Sequence, residues 1–387
     1  MLADVEELIV KVHANKEGFE SLRGEWTALL QKSHCQSVFM TWEWLYGWWV
    51  NLGQEECDLR IVELRNEEGR LVGIGPFCIA PAEGWLSGRV LTFLGTTYVS
   101  SEYLDLLVET GFEQQAARAV VDAFFEKQEG WDYFSFPDML ESAIVLSHLV
   151  EIVRSRGFFI DITTSQTCPY LTLPTSVDGF YRSLGQHMRA GVRRRRRKLL
   201  DVGAEIRTIE RLDSDMSALD SFFQLHEKRW GLKGRDGNFK NSAVRSFHRQ
   251  VAKELGEQGA LRLYRLELHG QPFGKLYGFQ FKGKFFYYQS GFDPKPPHSS
   301  IQWSEYSPGI VLVSQAIQDS IEHELGEFDF LRGLESYKLR WTDTTRDTKL
   351  AIGIPPSAWG LMALYQSRQW LKKVKQGIRR TKMAMTT

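Results

Sequence analysis

The chain has 387 residues, 43% of them hydrophobic and 13% aromatic, which excludes a disordered protein and allows two folded domains. Lysine and arginine number 48, as do aspartate and glutamate, and this balance disfavours a dedicated nucleic-acid binder, so no DNA partner is expected. The four cysteines form no Cys-x-x-Cys pair and no cluster at metal-ligand spacing, so free thiols and no metal are expected.

The hydropathy pattern favours a cytoplasmic location. No apolar run reaches the length of about 18 residues that a transmembrane helix needs. The N-terminal residues are acidic and lack the apolar core of a secretory signal.

In chain order, the pattern of elements occurs twice. The first half predicts a strand, amphipathic helices and then a β-hairpin over 57–81, followed by further strands and helices. From about residue 175 the order recurs, with helices, a three-strand meander over 261–293, a helix and short strands. The recurrence predicts an α/β (α+β) fold with two similar domains. The predicted limits are 1–165, 166–355 and a basic C-terminal helix over 356–387.

Five consecutive arginines, 193–197, lie in one predicted amphipathic helix over 176–201, because apolar residues recur at every third or fourth position. Ser176 suits its N-cap. Arg195 falls within the apolar stripe and must meet a carboxylate, a carbonyl cluster or an anionic ligand, since an unpaired buried arginine is costly. The arginines expected in solvent are Arg193, Arg194 and Arg197.

The segment EFDFLRGLESYKLRWTD (327–343) resembles the closing signature of the CelD/BcsL-type acyltransferases. These proteins, which include BioF2-like acetyltransferase domains, belong to the GNAT superfamily and are related to the FemAB aminoacyl-transferases. Other segments resemble that family in the same order: TFLGTTYVSSEYLDLLVE, the arginine-rich helix, LHEKRWGLKGRDGNF, GKLYGFQFKGKFFYYQSGFDP and YSPGIVLVSQAI. The resemblance implies two tandem GNAT-like domains, each with a mixed, mostly antiparallel sheet flanked by helices, and acetyl-CoA or another acyl-CoA as co-substrate.

The resemblance also implies that a helix presents its N-terminus to the donor's pyrophosphate, as unpaired N–H groups and the helix dipole allow. Here that helix begins at Ser307-Pro308-Gly309, and an ordinary capped helix start is the alternative. The candidate cofactor-binding residues are Ser307, Gly309, Ile310 and Val311. The proline-rich segment 293–309 replaces the usual phosphate loop of the superfamily, so aminoacyl-tRNA and a carrier-protein thioester stay open as donors.

Three residues of the closing segment are candidate catalytic groups. Asp329 alternates with two phenylalanines, and partly apolar surroundings would raise its pKa and suit it as a base. An ion pair with Lys338 or Arg195 is the alternative. Lys338 is a candidate oxyanion or phosphate donor and Tyr337 a candidate acid; their alternatives are an exposed helix lysine and a packed tyrosine.

The acceptor cleft is expected beside a second predicted helix. His226, Arg229 and Trp230 share a face of that helix and are candidate substrate-binding residues, although a core histidine is the alternative. Asp105, together with Glu102, is the candidate carboxylate on the acceptor side.

These features favour an acyl-CoA-dependent N- or O-acyltransferase whose small-molecule acceptor is a sugar, polysaccharide or cell-envelope precursor. The alternatives are a Fem-like aminoacyl-tRNA-dependent transferase, with tRNA as partner, and a catalytically degenerate GNAT scaffold in exopolysaccharide assembly. The C-terminal basic residues predict a solvated helix or a loose, peripheral contact with anionic membrane lipid: Lys372, Lys373, Lys375, Arg379 and Arg380.

Overall fold

The computed structural model describes residues 7–212, 216–231, 234, 236–293 and 306–384, with side chains up to residue 371. Over these residues thirteen strands form one continuous, mixed sheet, and helices cover its faces. No helix in this part of the chain is both long and apolar enough to cross a membrane. The cysteines in it are free, and no group of three His, Cys, Asp or Glu side chains could hold a metal ion.

In the first half, the described residues form seven strands and five α-helices. The strands are β1 (Ile9–His13), β2 (Asp58–Arg65), β3 (Leu71–Pro81), β4 (Arg89–Phe93), β5 (Leu107–Val108), β6 (Tyr133–Met139) and β7 (Phe159–Thr172). The helices are α1 (Lys16–Ser21), α2 (Arg23–Lys32), α3 (Trp42–Trp48), α4 (Glu113–Val120) and α5 (Val150–Ser155). Helices α3 and α4 continue as π-helical turns, Trp49–Gly53 and Val121–Phe125, and the π-helical turn Val145–Leu149 leads into α5.

The described residues of the second half form six α-helices and six strands. The helices are α6 (Val177–Ser183), α7 (Gln186–Asp201), α8 (Ser217–Gly231), α9 (Ser242–Glu257), α10 (Pro308–Glu322) and α11 (Trp359–Ala384). The strands are β8 (Ala204–Ile209), β9 (Leu261–Leu268), β10 (Gln271–Phe281), β11 (Lys284–Phe292), β12 (Glu327–Asp329) and β13 (Thr345–Ile354). The predicted three-strand meander is confirmed as β9, β10 and β11.

Strand β7 joins the two halves of the sheet. It pairs with β13 over residues 159–169 and with β12 over 170–172. Strand β13 also pairs with β6, so this strand from the second half of the chain lies within the sheet of the first half. Most pairs are antiparallel, whereas β4–β6 and β11–β12 are parallel. The predicted fold class is confirmed, while the domain limits stay a prediction.

The predicted helix over 176–201 is interrupted. Ser176 does cap α6, because its hydroxyl accepts a hydrogen bond from the Gly179 N–H at 3.1 Å. At Leu184 the backbone becomes extended and its side chain turns into the core, and Gly185 is the N-cap of α7. Glycine is a poor helix former, which favours a break at Gly185. The spacing of apolar residues at every third or fourth position continued across Gly185, so the hydrophobic pattern did not reveal the break.

The aromatic residues near residue 45 pack in the core. Trp44 is fully buried, and its indole N–H donates to the Ser101 hydroxyl at 2.8 Å. This bond ties α3 to the irregular segment 94–106, which supplies one wall of the site described below.

Candidate functional site

Strand β11 parts from β12 after three paired residues. Lys284, Phe285 and Phe286 pair with β12, whereas no pairing with β12 occurs over 287–292. Two cavities open where the strands diverge, one of about 410 Å³ and one of about 570 Å³. We call the first, which contains the start of α10, the helix-tip cavity. We call the second, which residues from both halves of the chain line, the junction cavity.

The two cavities share three lining residues: Arg229, Tyr287 and Tyr337. The helix-tip cavity also contacts Ser307, Gly309 and Ile310, so three of the four predicted cofactor-binding residues lie together beside Tyr337. The fourth, Val311, is fully buried in the core against neighbouring apolar side chains and does not line the cavity. That part of the prediction is wrong, because position 311 lies on the inner face of α10.

The tip of α10 leaves room for a ligand. Pro308 occupies the first helical position, as predicted, and a Cβ atom at Gly309 would meet nothing within 4 Å. Ser307 has a left-handed backbone (φ 42°) and makes no side-chain cap. Its carbonyl instead accepts the N–H groups of Ile310 and Val311 at 2.9 and 3.4 Å. The attraction for an anion at this tip therefore comes from the helix dipole and the open approach at Gly309.

Arginines add positive charge near the helix tip. Arg340 lines the cavity, and the charge on Arg195 of α7 is close enough to interact with it. Burial, followed by repulsion from Arg194 and Arg340, lowers the pKa of Arg195. The Arg195 Nε atom is buried without a hydrogen-bond partner, and no carboxylate pairs with this side chain among the described residues. Arg195 is half-buried rather than buried as the apolar stripe predicted, so an anionic ligand for it stays a prediction.

A chain of hydroxyl groups lies at the boundary of the two cavities. The Tyr337 hydroxyl donates to the Tyr287 hydroxyl at 3.4 Å, and the Tyr287 and Ser290 hydroxyls are 2.6 Å apart. Arg229 donates to the Ser290 hydroxyl at 2.6 Å and to its carbonyl at 3.0 Å. Burial and the neighbouring Tyr287 raise the pKa of Tyr337, so its hydroxyl keeps its proton at neutral pH. A protonated hydroxyl at this boundary can act as an acid.

Lys338 is 4% exposed, so the alternative of an exposed helix lysine is wrong. Its ammonium donates to the carbonyls of Leu331 and Arg332 and pairs with Glu335 at 3.0 Å. These contacts hold the turn over 331–335 against the wall of the junction cavity. Lys338 thus lines the junction cavity, with its donors directed to two backbone carbonyls and the Glu335 carboxylate.

Asp329 lies outside both cavities. As the alternation predicted, Phe328 and Phe330 pack together in the core, and the carboxylate occupies the other face of β12. Its Oδ1 accepts the Leu331 N–H at 2.8 Å, whereas Oδ2 is buried without a partner in the described part of the chain. Burial raises the pKa of Asp329 to about 7, against the opposing effect of Arg346. The alternative, an ion pair of Asp329 with Lys338 or Arg195, is absent among the described residues. The Asp329 carboxylate, which was predicted to be the base, does not reach either cavity.

Asp105 also lies elsewhere. Its carboxylate accepts the N–H groups of Ile144 and Val145, at 2.7 and 3.0 Å, where the helical segment before α5 begins. It lines a different cavity, of about 940 Å³. Burial raises the pKa of Asp105 to about 7. Capping therefore accounts for the contacts of Asp105, which lies outside the helix-tip and junction cavities, and its place on the acceptor side stays a prediction.

Glu102 is the carboxylate that lines the junction cavity. It is 1% exposed and accepts two hydrogen bonds from Arg332, from the backbone N–H at 3.0 Å and from Nε at 2.8 Å. Arg332 also donates to Asp138 at 2.9 Å. Burial raises the pKa of Glu102, and the arginine opposes that shift. This ion pair joins the segment after β12 to the first half.

The three predicted substrate-binding residues of α8 do lie together in the junction cavity: His226, Arg229 and Trp230. His226 is buried, its Nδ1 has no hydrogen-bond partner among the described residues, and burial lowers its pKa to about 4. The ring is therefore neutral at pH 7. A Cβ atom at position 237 would lie 2.8 Å from Nδ1, so Gly237 leaves the space that the ring needs.

The sequence reasoning missed several lining residues: Tyr287, Ser290, Arg332 and Arg340. Two of them stand in the recognised segment 327–343, which is the signal that could have found them. The two on β11 depend on the divergence of strands, which no local pattern shows.

Asp329→Asn is expected to flatten the dependence of stability on pH. The carboxyl has a pKa of about 7 in the folded protein and about 4 when unfolded, so stability falls as pH rises from about 4 to about 7, where only the unfolded state is ionised, and levels off above 7. Between pH 5.5 and 8.0 the free energy of unfolding of the wild type should fall by about 2 kcal/mol more than that of the variant. Urea unfolding at both pH values measures this difference. The exposed control Asp343→Asn should behave like the wild type. If the free energy of unfolding of Asp329→Asn changed with pH as it does in the wild type, the raised pKa of Asp329 would be contradicted.

Comparison with known families gives a match in the second half. Residues 186–339 match the model of the family described as acetyltransferase (GNAT) domain. A comparison with curated proteins gave no significant match. The matched range contains α7 to α10, the meander and the closing segment through Tyr337 and Lys338.

Solved structures are similar over most of the chain. The crystal structure of FemX has a TM-score of 0.61 at 11% identity, covering 88% of this chain and 96% of that one. The C-terminal domain (DUF2156) of a putative lysylphosphatidylglycerol synthetase from Agrobacterium fabrum has a TM-score of 0.52 at 11% identity, covering 90% and 96%. L-PGS from Bacillus licheniformis also has a TM-score of 0.52, at 13% identity, covering 90% and 93%. At these identities the similarity shows the fold alone.

The family match covers the helix tip, the diverging strand and the tyrosine that lines both cavities. The narrower resemblance to CelD/BcsL-type enzymes stays a prediction. Residues 186–339 are therefore similar to the acetyltransferase (GNAT) domain family, and the fold of most of the chain is similar to that of FemX.

Proposed function

We propose that this protein is an acyltransferase that binds an acyl-CoA in the helix-tip cavity and an amine or hydroxyl acceptor in the junction cavity. One observation carries the proposal: the two cavities meet at the same three side chains, Arg229, Tyr287 and Tyr337. A donor and an acceptor that enter from opposite sides would place their reacting atoms at this boundary.

The helix-tip cavity suits a phosphorylated donor with an apolar arm. The α10 dipole, Arg340 and the unpaired Arg195 favour phosphate groups near the opening at Gly309. Apolar side chains line the same cavity and can contact the pantetheine arm or the acyl chain: Phe292, Ile310, Val313 and Trp341.

The junction cavity suits a polar acceptor, which supports a sugar, polysaccharide or cell-envelope precursor. Its lining includes carboxylate, amide and imidazole groups, among them Glu102, Asn238, Gln289 and His226. These groups can accept or donate hydrogen bonds to hydroxyl and amino groups, and the Trp230 ring borders the same space.

The reaction we propose is direct acyl transfer. The acceptor's nitrogen or oxygen forms a bond to the thioester carbonyl carbon, and the carbon–sulfur bond breaks. The leaving thiolate takes the Tyr337 proton, and the proton released by the acceptor restores Tyr337 through the Tyr287 and Ser290 hydroxyls. In this proposal the Arg229 guanidinium, which donates to Ser290 and lies 5.9 Å from the centre of the Tyr337 ring, stabilises the negative charge of the tetrahedral intermediate.

Binding of the donor can be measured directly. Native mass spectrometry and calorimetry with acyl-CoAs from acetyl to palmitoyl should show one molecule bound per chain for at least one member. Absence of binding across the panel at saturating concentration would overturn the proposed donor.

Tyr337→Phe is expected to lower kcat by about 100-fold, because loss of a general acid typically costs at least that factor. The affinity for the acyl-CoA should stay within about twofold, since the ring and its packing remain. Steady-state kinetics and calorimetry separate the two quantities. The matched control is Tyr365→Phe, which removes a buried, hydrogen-bonded hydroxyl near Asp161, outside both cavities. Equal kcat losses in the two variants would contradict the proposed role of Tyr337 as the general acid.

One observation favours a second candidate, an aminoacyl-tRNA donor. Arg193, Arg194 and Arg197 are exposed on α7, which packs against α10 and is linked to it by the Arg196–Gln315 hydrogen bond of 2.6 Å. A polyanion bound at the helix tip could extend over these arginines. Their combined replacement by glutamate would then abolish tRNA binding, whereas acyl-CoA binding would change little. A degenerate scaffold would bind neither donor.

A further inference from the structure

Helix α11 is seated on the first half by one of its sides. The Tyr365 side chain is buried, and its hydroxyl donates to Asp161 of β7 at 2.7 Å. Tyr365 also contacts Trp85, and it belongs to a small apolar cluster with Leu86 and Tyr133. The helix is therefore anchored, and its outward side has a defined direction.

The outward side carries large apolar side chains. Trp359 and Trp370, 73% and 64% exposed, are the two most exposed large hydrophobic residues in the described part of the chain. They are eleven residues apart, which is three helical turns and about 16 Å, so they point to the same side. Leu364 and Leu371 are about half exposed and lie two turns apart, about a third of the way around the helix from the tryptophans. Together they form what we call the α11 outer face.

The charge of this helix differs from that of the whole chain. Residues 359–384 contain no Asp or Glu, although the chain as a whole has a net charge of zero. They contain seven basic residues: Arg368, Lys372, Lys373, Lys375, Arg379, Arg380 and Lys382. The basic side chains from residue 372 onward, which include the five that sequence analysis singled out, lie outside the described side chains.

We infer that the α11 outer face binds the surface of an anionic lipid bilayer, with the helix lying parallel to it. Tryptophan at the water–lipid boundary can bury its ring while its N–H stays hydrated, and lysine and arginine attract anionic headgroups. Two tryptophans on one side of a helix, three turns apart, fit a flat surface. An acid-free helix adds the complementary charge. This contact is independent of the transferase cavities.

The experiment is sedimentation of the full chain with vesicles of phosphatidylcholine, alone or with 30% phosphatidylglycerol. We expect most of the protein to bind the anionic vesicles, little to bind the neutral ones, and 0.5 M NaCl to release it. Trp359→Ser/Trp370→Ser should reduce the bound fraction at least fivefold, and so should Lys372→Gln/Lys373→Gln/Lys375→Gln. Circular dichroism checks that the variants stay folded.

Two matched controls locate the contact. Ile9→Ser/Leu334→Ser removes exposed apolar side chains elsewhere, and Arg193→Gln/Arg194→Gln/Arg197→Gln removes three charges from α7; both should bind like the wild type. The inference is overturned if the protein does not bind anionic vesicles, if the tryptophan variant binds them as the wild type does, or if only the α7 variant loses vesicle binding. Binding of tRNA that depends on the same α11 residues, without vesicle binding, would assign the face to RNA. Acyl-CoA binding should be normal in every variant, which separates this test from that of the donor site.

Discussion

Gly309→Glu should weaken acyl-CoA binding at least 100-fold while the protein stays as stable as the wild type. The substitution is sterically free, because a Cβ atom at this position meets nothing within 4 Å. A glutamate in the first turn of a helix interacts favourably with the helix dipole, so folding is not opposed. The same carboxylate occupies the space proposed for the donor's phosphates and repels them.

Calorimetry with the acyl-CoA that binds the wild type measures this loss, and thermal unfolding measures stability. The matched control is Gly309→Ala, which adds the Cβ atom without the charge and should keep affinity within about fivefold. If the glutamate variant bound the donor like the alanine variant, the phosphates would not lie at the α10 tip. The donor would then have to bind elsewhere, and the proposal that the two substrates enter from opposite sides would be wrong.

Arg332→Ala should lower the free energy of unfolding by about 3 kcal/mol, the largest stability effect that we expect of a single change in the site. Glu102 is 1% exposed and would lose the guanidinium that compensates its buried charge. Water can reach part of the space, because the arginine side chain is itself 30% exposed, so the expected cost lies at the lower end for a broken buried pair.

Urea unfolding of Arg332→Ala, Glu102→Gln and the double variant gives the coupling between the two residues. With the charge of Glu102 already removed, Arg332→Ala should cost at least about 1.5 kcal/mol less than in the wild type. The control pair is Arg154 and Glu151, an exposed contact on α5 whose loss should cost less than about 0.5 kcal/mol. Additive effects of Arg332 and Glu102 would show that the pair does not join the halves energetically.

Several features of the site were predictable because they depend on residues close in sequence. Pro308 at the start of α10, the shared face of His226, Arg229 and Trp230, and the opposite orientation of Asp329 and its phenylalanines each follow from a helical or strand period. The structure agrees with all three. The same reasoning assigned Asp329 a place in the site that it does not have, because a period gives the face of a strand and not what lies opposite that face.

By itself, the sequence determined the order and type of most elements, the cap at Ser176, the open helix tip at Gly309 and the basic character of α11. These depend on propensity, periodicity and charge within a few turns of chain. Only the tertiary structure decided that β13 lies between β6 and β7, that β11 leaves β12 after three residues, and that Glu102 meets Arg332 across 230 positions. The physical reason is that strand pairing and buried ion pairs are set by the free energy of packing distant segments together, and that free energy is not encoded in any local stretch.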